Sequence, residues 1–240
     1  MVVKIDYTPT RLKRELRGLV DPEFREGQQH YFKESVPTLG VRVPEVRKLA
    51  STAVKEYRGA KLSFDDVLEV ADQLWRCQFL EERILGIIIV SKYQRQLERR
   101  HWKHFDGWVD SLTNWGETDG LCTLILAALI KKDPALAKRL PVWTSSVNRW
   151  RRRSAAVALV PLARRGENHD VSFEICDRLA DDRDDMVEKG IGWLLKEASR
   201  TQPETVANFL LTDIDRFSRT TVRYACEKLP ERLRTRVMQA

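Results

Sequence analysis

The sequence is poor in the features that mark metal, nucleotide and membrane proteins. Its four cysteines (Cys77, Cys122, Cys176 and Cys226) lie far apart, and no two form a CxxC pair. That spacing argues against a zinc knuckle or a thioredoxin-like centre. Each cysteine sits in or beside an apolar helical stretch, so buried free thiols in a reducing, cytoplasmic compartment are expected. His30, His101, His104 and His169 show no HExxH spacing. His101 and His104 could share a helix face, but no third ligand accompanies them, and no metal is expected. There is no P-loop, no GxGxxG after a strand and no Gly-x-Ser-x-Gly elbow. The longest strongly apolar run, Ile84 to Val90, is too short to cross a bilayer. Met1 to Pro9 lack the apolar core of a signal peptide.

Strand alternation hardly appears, and helix signals fill the space. Thr8-Pro9, Asp21-Pro22 and Val43-Pro44 read as helix starts with proline near the first helical position. Val46, Leu49, Ala50, Val54 and Tyr57 then form one apolar stripe, which Gly59 can close. Ser63 and Asp66 open the next helix. Residues Phe79 to Tyr93 are apolar on most sides, the mark of a buried helix. Further helical segments are predicted near 97–112, 115–132, 134–143, 148–164, 171–182, 184–199, 203–212 and 216–228, with a short piece after Pro230. Pro161 should kink or end its helix.

Short turns make neighbouring helices antiparallel, and helix pairs recur every thirty-five to forty residues or so, the range of helical-repeat arrays. No linker rich in proline, glycine or serine divides the chain. The expected fold is all-α, an α-α superhelix (solenoid) built from helical repeats as one domain over 1–240. A compact irregular bundle is the alternative.

The formal net charge is +7 over 240 residues. A balance of that sign suits an acidic partner such as nucleic acid. Arg149, Arg151, Arg152 and Arg153 surround Trp150; the run could be a solvated helix face, but tryptophan interleaved with four arginines is a common nucleic-acid footprint. Asp181, Asp182, Asp184 and Asp185 read as a separate acidic turn. Asp106 and Asp110 share a helix face and read as surface charges.

The segment Asn114-Trp115-Gly116-Glu117-Thr118-Asp119 reads as the mouth of a helix. Asn114 suits the N-cap, and Glu117 three residues later fits a capping box. Trp115 and Asp119, four apart, share one face. A carboxylate beside an indole suits a cation or a developing positive charge. An Asp in the first turns of a helix can equally be a dipole-favoured structural residue. Trp193, beside Ile191, Leu194 and Leu195, reads plainly as core; Gly190 and Gly192 leave room for backbone or ligand to come close. Trp75, Trp102, Trp108 and Trp143 read as packing residues.

Several of these segments, in order, resemble one family. Tyr31-Phe32-Lys33, Leu39-Gly40-Val41 and Pro44-Glu45-Val46-Arg47 resemble the N-terminal signature of the AlkD-like DNA alkylation repair glycosylases. Trp115 to Asp119 resembles that family's active-site segment, Trp150-Arg151-Arg152-Arg153-Ser154-Ala155 its Trp-x-Arg-Arg-Thr-Ala segment, and Ile191-Gly192-Trp193 its Ile-Gly-Trp segment. The matches run from about residue 21 to 228. The resemblance implies a superhelix of HEAT-like repeats that holds duplex DNA on its concave face. It implies excision of cationic N3- and N7-alkylated purines by N-glycosidic cleavage, without flipping the base into a pocket and without metal or organic cofactor. It implies a monomer acting on duplex DNA that contains alkylated bases, with no membrane partner.

Carried over residue by residue, Trp115 and Asp119 would contact the lesion's deoxyribose, with Asp119 stabilising positive charge and positioning water. Trp193 would supply the second aromatic wall. The phosphate-binding arginine falls within Arg152 and Arg153, Arg153 being favoured, and Tyr31 would lie near the DNA. Two positions depart from the family pattern. Arg42 stands where glutamine is frequent and could add a phosphate contact. Gly116 replaces a bulkier acidic residue. A non-catalytic protein that binds damaged or branched DNA and a protein-interaction scaffold remain the competing readings.

Overall fold

In a computed structural model the chain is described over residues 6–240; residues 1–5, part of the N-terminal stretch read above against a leader, lie outside the described residues. The described chain is all-helical, an α-α repeat fold. Among the described residues the contacts group into two compact units, one ending at Leu97 and one spanning Glu98–Ala240. None of the described helices is long and apolar enough to cross a membrane.

The first unit contains α1 (Pro9–Arg17), α2 (Pro22–Gln28), α3 (Val43–Gly59), α4 (Phe64–Trp75) and α5 (Leu80–Ser91). Their starts follow the side chains that suit them. Thr8 and Asp21 accept from Arg11 N and Phe24 N, with proline following each, and Ser63 and Asp66 form a reciprocal capping box. The predicted stripe Val46, Leu49, Ala50, Val54 and Tyr57 is buried, against Leu12, Leu16, Leu74, Leu85 and Ile89. Side chains of this size contribute about 1.5–3 kcal/mol each when fully buried. One buried carboxylate also organises the unit. Glu81, at the start of α5, accepts from the backbone NH of Leu39, Gly40 and Val41 at 2.8, 2.9 and 3.2 Å. Gly40 adopts φ +86, and a Cβ there would lie 2.4 Å from Arg25 Cβ, so this turn requires glycine.

The second unit contains α6 (Trp102–Asp110), α7 (Trp115–Leu121), α8 (Ala127–Lys132), α9 (Arg149–Val157), α10 (Val160–Ala163), α11 (His169–Arg178), α12 (Asp185–Ala198), α13 (Pro203–Thr212), α14 (Arg219–Ala225) and α15 (Glu231–Met238). A π-helical turn, Cys122–Leu126, joins α7 to α8, so the predicted helix over 115–132 is continuous but irregular in its middle. The segment predicted near 134–143 is instead two 3-10 helices, Pro134–Arg139 and Pro141–Ser145. Pro141 has no NH to give a continuing helix. Pro161 acts as expected: α9 ends before it, and α10 carries it at its start.

The repeat becomes visible at the helix caps. Asn114, Asn148, Asp184 and Ser218 are the N-caps of α7, α9, α12 and α14, spaced 34, 36 and 34 residues apart, and each accepts a backbone NH. These four helices pack in succession, α7 on α9, α9 on α12 and α12 on α14. Gly192 sets the last approach. A Cβ there would lie 2.5 Å from Tyr224 Cβ and 3.0 Å from Thr221 O. Gly192→Ala must therefore push α14 outward. We expect a loss of about 1–3 kcal/mol, read as a lower midpoint in urea denaturation with the slope unchanged.

Cys122, Cys176 and Cys226 are buried and free as expected, and burial pushes the Cys122 thiol up to about 12. Cys77 is only half-buried, unlike the other three.

Candidate active site

The Asn114 side chain, itself buried, accepts the NH of Glu117 at 3.0 Å and starts α7 where predicted. The Glu117 carboxylate reaches back to the NH of Thr113 at 3.2 Å. Trp115 then occupies the first position of the helix and Asp119 the fifth, one turn on, both half-exposed. In α9 the fifth position after the cap is Arg153. In α12 the fifth and ninth are Lys189 and Trp193. First, fifth and ninth positions lie on one helical stripe. Counted from their caps, Trp115, Asp119, Arg153 and Trp193 thus hold the first, fifth, fifth and ninth positions of successively packed helices.

The contact between α7 and α9 is direct. Arg153 forks onto Asp119, with Nε to Oδ1 at 3.0 Å and Nη2 to Oδ2 at 3.1 Å. Its remaining nitrogen, Nη1, donates to the carbonyl of Met186 in α12. Arg153 is 5 % exposed, and one side chain thus ties three helices together at the carboxylate. Gly190 makes the space: a Cβ there would stand 3.3 Å from Arg153 Cγ. Asp119 feels two opposed influences. Burial pushes its carboxyl above the usual carboxylate range, and the charge and hydrogen bonds of Arg153 pull it back without cancelling the rise.

Tryptophan burial separates the candidates from the core. Trp75, Trp102, Trp108, Trp143 and Trp150 are each at most 6 % exposed. Trp115 and Trp193 alone among the seven tryptophans keep partly open surfaces. Trp193 does so between Ile191, Leu194 and Leu195, which are buried. An indole that a helix could have buried and instead leaves half-open fits a ligand-facing wall.

The arginine run looks different in three dimensions from its appearance in the sequence. Arg149 pairs with Asp184 at 3.1 Å and lies over the Trp150 ring. Arg151 pairs with Asp106 and Asp110, both at 2.5 Å. Arg152 pairs with Asp182 at 2.6 Å and donates to the carbonyls of Ser146 and Val147. The acidic turn is thus the counter-charge of the basic helix; its other members, Asp181 and Asp185, hold Arg216 and Lys189. Asp106 and Asp110 serve Arg151 and are not simply solvated. The sequence singled out these aspartates and Gly190 but not their pairing with the arginines, nor the Met186 carbonyl; the available signal was the thirty-four-residue offset between helix caps.

Tyr31 and Arg42 belong to the first unit. Tyr31 ends a short 3-10 helix and is 68 % exposed. Arg42 caps α3, donates from Nε and Nη2 to Asp21 Oδ2, and lies over the Phe24 ring.

The model of one protein family, described as DNA alkylation repair enzyme, matches residues 12–229. Among solved structures, the fold is similar to that of a predicted DNA alkylation repair enzyme from Enterococcus faecalis, with a TM-score of 0.78 at 17% identity over 88% of this chain and 97% of that one. It is also similar to smu.31 from Streptococcus mutans UA159, with a TM-score of 0.56 at 15% identity over 78% and 93% of the two chains. No curated protein matches the sequence.

Proposed function

The chain belongs to the DNA alkylation repair enzyme family, and from that premise we propose that it is a DNA glycosylase that excises cationic N3- and N7-alkylated purines from duplex DNA. The observation that carries this reading is the Asp119 carboxylate, half-exposed, forked onto by Arg153 and sharing a helical stripe with the partly open Trp115.

In this reaction the C1′–N bond breaks and its electron pair moves onto the purine, cancelling the ring's positive charge. A neutral base leaves, so no strong general acid is required. The sugar gains oxocarbenium character, as in other glycoside hydrolysis. Water oxygen bonds to C1′ and releases its proton to solvent or to a carboxylate. Asp119 would stabilise the electron-poor sugar and orient that water. A carboxylate offers about four acceptor sites, and the Arg153 fork takes two, one on each oxygen. Both oxygens therefore retain a lone pair for sugar or water. Trp115 and Trp193 would wall the sugar and offer π faces to the cation, about 0.5–2 kcal/mol each. Arg153, placed at a phosphate by the resemblance, would in this reading position Asp119.

The experiment is release of 7-methylguanine or 3-methyladenine from methylated duplex DNA, wild type beside Asp119→Asn. Equal release from both, or none above background, sinks the enzyme reading; binding without release would support a non-catalytic DNA-binding protein instead.

A pH dependence follows. Catalysis needs ionised Asp119, so the rate is full above its pKa and lost as pH falls through it. With the pKa raised by burial, the acid limb should lie above the ordinary carboxylate range. Arg153→Gln removes the one influence that lowers it, and the limb should move to still higher pH. The check is single-turnover base release against pH, after subtracting spontaneous depurination. A limb that stays fixed in Arg153→Gln means that Asp119 is not the titrating group.

A further inference from the structure

A cavity of about 260 Å³ opens between α14 and α15, lined by Thr220, Arg223, Tyr224, Glu227, Arg234 and Met238 among others. It carries an excess of positive charge. Lys196 pairs with Glu227 at 2.8 Å and lies over the Tyr224 ring, which leaves the carboxylate already matched. Arg223 and Arg234 are exposed, and among the described residues neither makes an ion pair or hydrogen bond. This is the opposite of the Arg149–Arg153 run, where every guanidinium faces a carboxylate. A pair of open guanidiniums flanked by Thr220 and Tyr224 hydroxyls, in a hollow of this size, has the chemistry of a phosphate receptor.

Its place in the repeat suggests which phosphate. Arg223 is the fifth residue after the Ser218 cap, the position held by Asp119 in α7, Arg153 in α9 and Lys189 in α12. From α7 to α14 there are three helix-to-helix steps. At an interaxial spacing of ~8–10 Å the distance is ~24–30 Å. A DNA strand advances ~3.4 Å per nucleotide, so this is about seven to nine nucleotides.

We propose that Arg223 and Arg234 form a distal clamp for one phosphodiester of the bound duplex, about seven to nine nucleotides from the sugar that faces Asp119. The proposal rests on the duplex-DNA reading above. It gives that reading a footprint: the protein grips its substrate at a point well away from the chemistry and in one direction along the strand. A backbone contact of this kind reads no sequence and sets register.

The test uses fluorescence anisotropy with the full chain and two duplexes, each carrying an uncharged abasic-site analogue at its centre. One has about twelve base pairs on either side and the other about four, too short to reach the cavity. On the long duplex, Arg223→Gln/Arg234→Gln should bind about tenfold more weakly at moderate salt. Its slope of log K against log salt should be shallower by about one. On the short duplex the variant should match wild type within about twofold, no contact there having been lost. Arg223→Lys/Arg234→Lys should restore most of the slope, which separates lost charge from lost fold. Added inorganic phosphate should leave long-duplex binding close to what its ionic strength alone dictates. An unchanged slope, equal weakening on both duplexes, or specific competition by inorganic phosphate overturns the clamp, the last pointing to a free-anion site. These readouts measure binding alone, so they stand apart from any failure of base release.

Discussion

Asp119→Asn should reduce base release from methylated duplex by about 10²–10³-fold, the loss typical when one group aimed at developing charge is removed from a preorganised site. The substitution keeps the shape of the side chain and one acceptor oxygen but removes the negative charge, so it separates electrostatic stabilisation from packing. Asparagine still leaves Arg153 Nη1 on the Met186 carbonyl, and the three-helix junction keeps one of its anchors. Duplex affinity should change little, because Asp119 supplies no attraction for phosphate. A variant that binds as wild type and no longer releases base gives the expected signature: the rate constant falls and the dissociation constant stays. A loss confined to affinity would place Asp119 outside the chemistry. Melting followed by circular dichroism shows whether the fold is intact.

The second large effect concerns stability. Glu81→Ala strips the acceptor from three backbone NH groups at once, those of Leu39, Gly40 and Val41, in a site where Glu81 is 3 % exposed. A buried donor left without a partner costs about 1–3 kcal/mol. Some relaxation and water entry will reduce the total, and a loss of about 3 kcal/mol is expected. For a chain of this length each kcal/mol lowers the melting midpoint by roughly 2–4 °C, so the variant should melt roughly 6–12 °C lower. Glu81→Gln, which keeps one acceptor oxygen, should recover part of the loss. If Glu81→Ala melts within a degree or two of wild type, the turn before α3 does not depend on this carboxylate.

Much of the architecture was legible because helix ends announce themselves chemically. Thr8, Asp21, Ser63 and Asn114 cap helices as read, and Pro161 interrupts one as read. The second proline-led break was missed: Pro141 follows Pro134 closely, and two 3-10 turns stand where one helix was expected. The π turn at Cys122–Leu126 was invisible, since its residues are ordinary helix formers. At the candidate site, Trp115 and Asp119 could be placed on one face by spacing alone. The engagement of Arg153 with Asp119 could not, because the two are thirty-four residues apart and meet only when helix caps fall into register. Gly190 and Gly192 were both read as places of close approach. They turn out to admit different neighbours, Arg153 for one and α14 for the other.

The paired arginines of α9 bear on how the second unit comes apart. In a linear array of repeats, stability divides between what each repeat holds by itself and what it gains from its neighbours. Arg149, Arg151, Arg152 and Arg153 all spend their charge outside their own helix, on carboxylates from α6, α7 and the turn before α12. That shifts weight onto the neighbour contribution. Repeats coupled in this way are expected to open together rather than fray one at a time from an end.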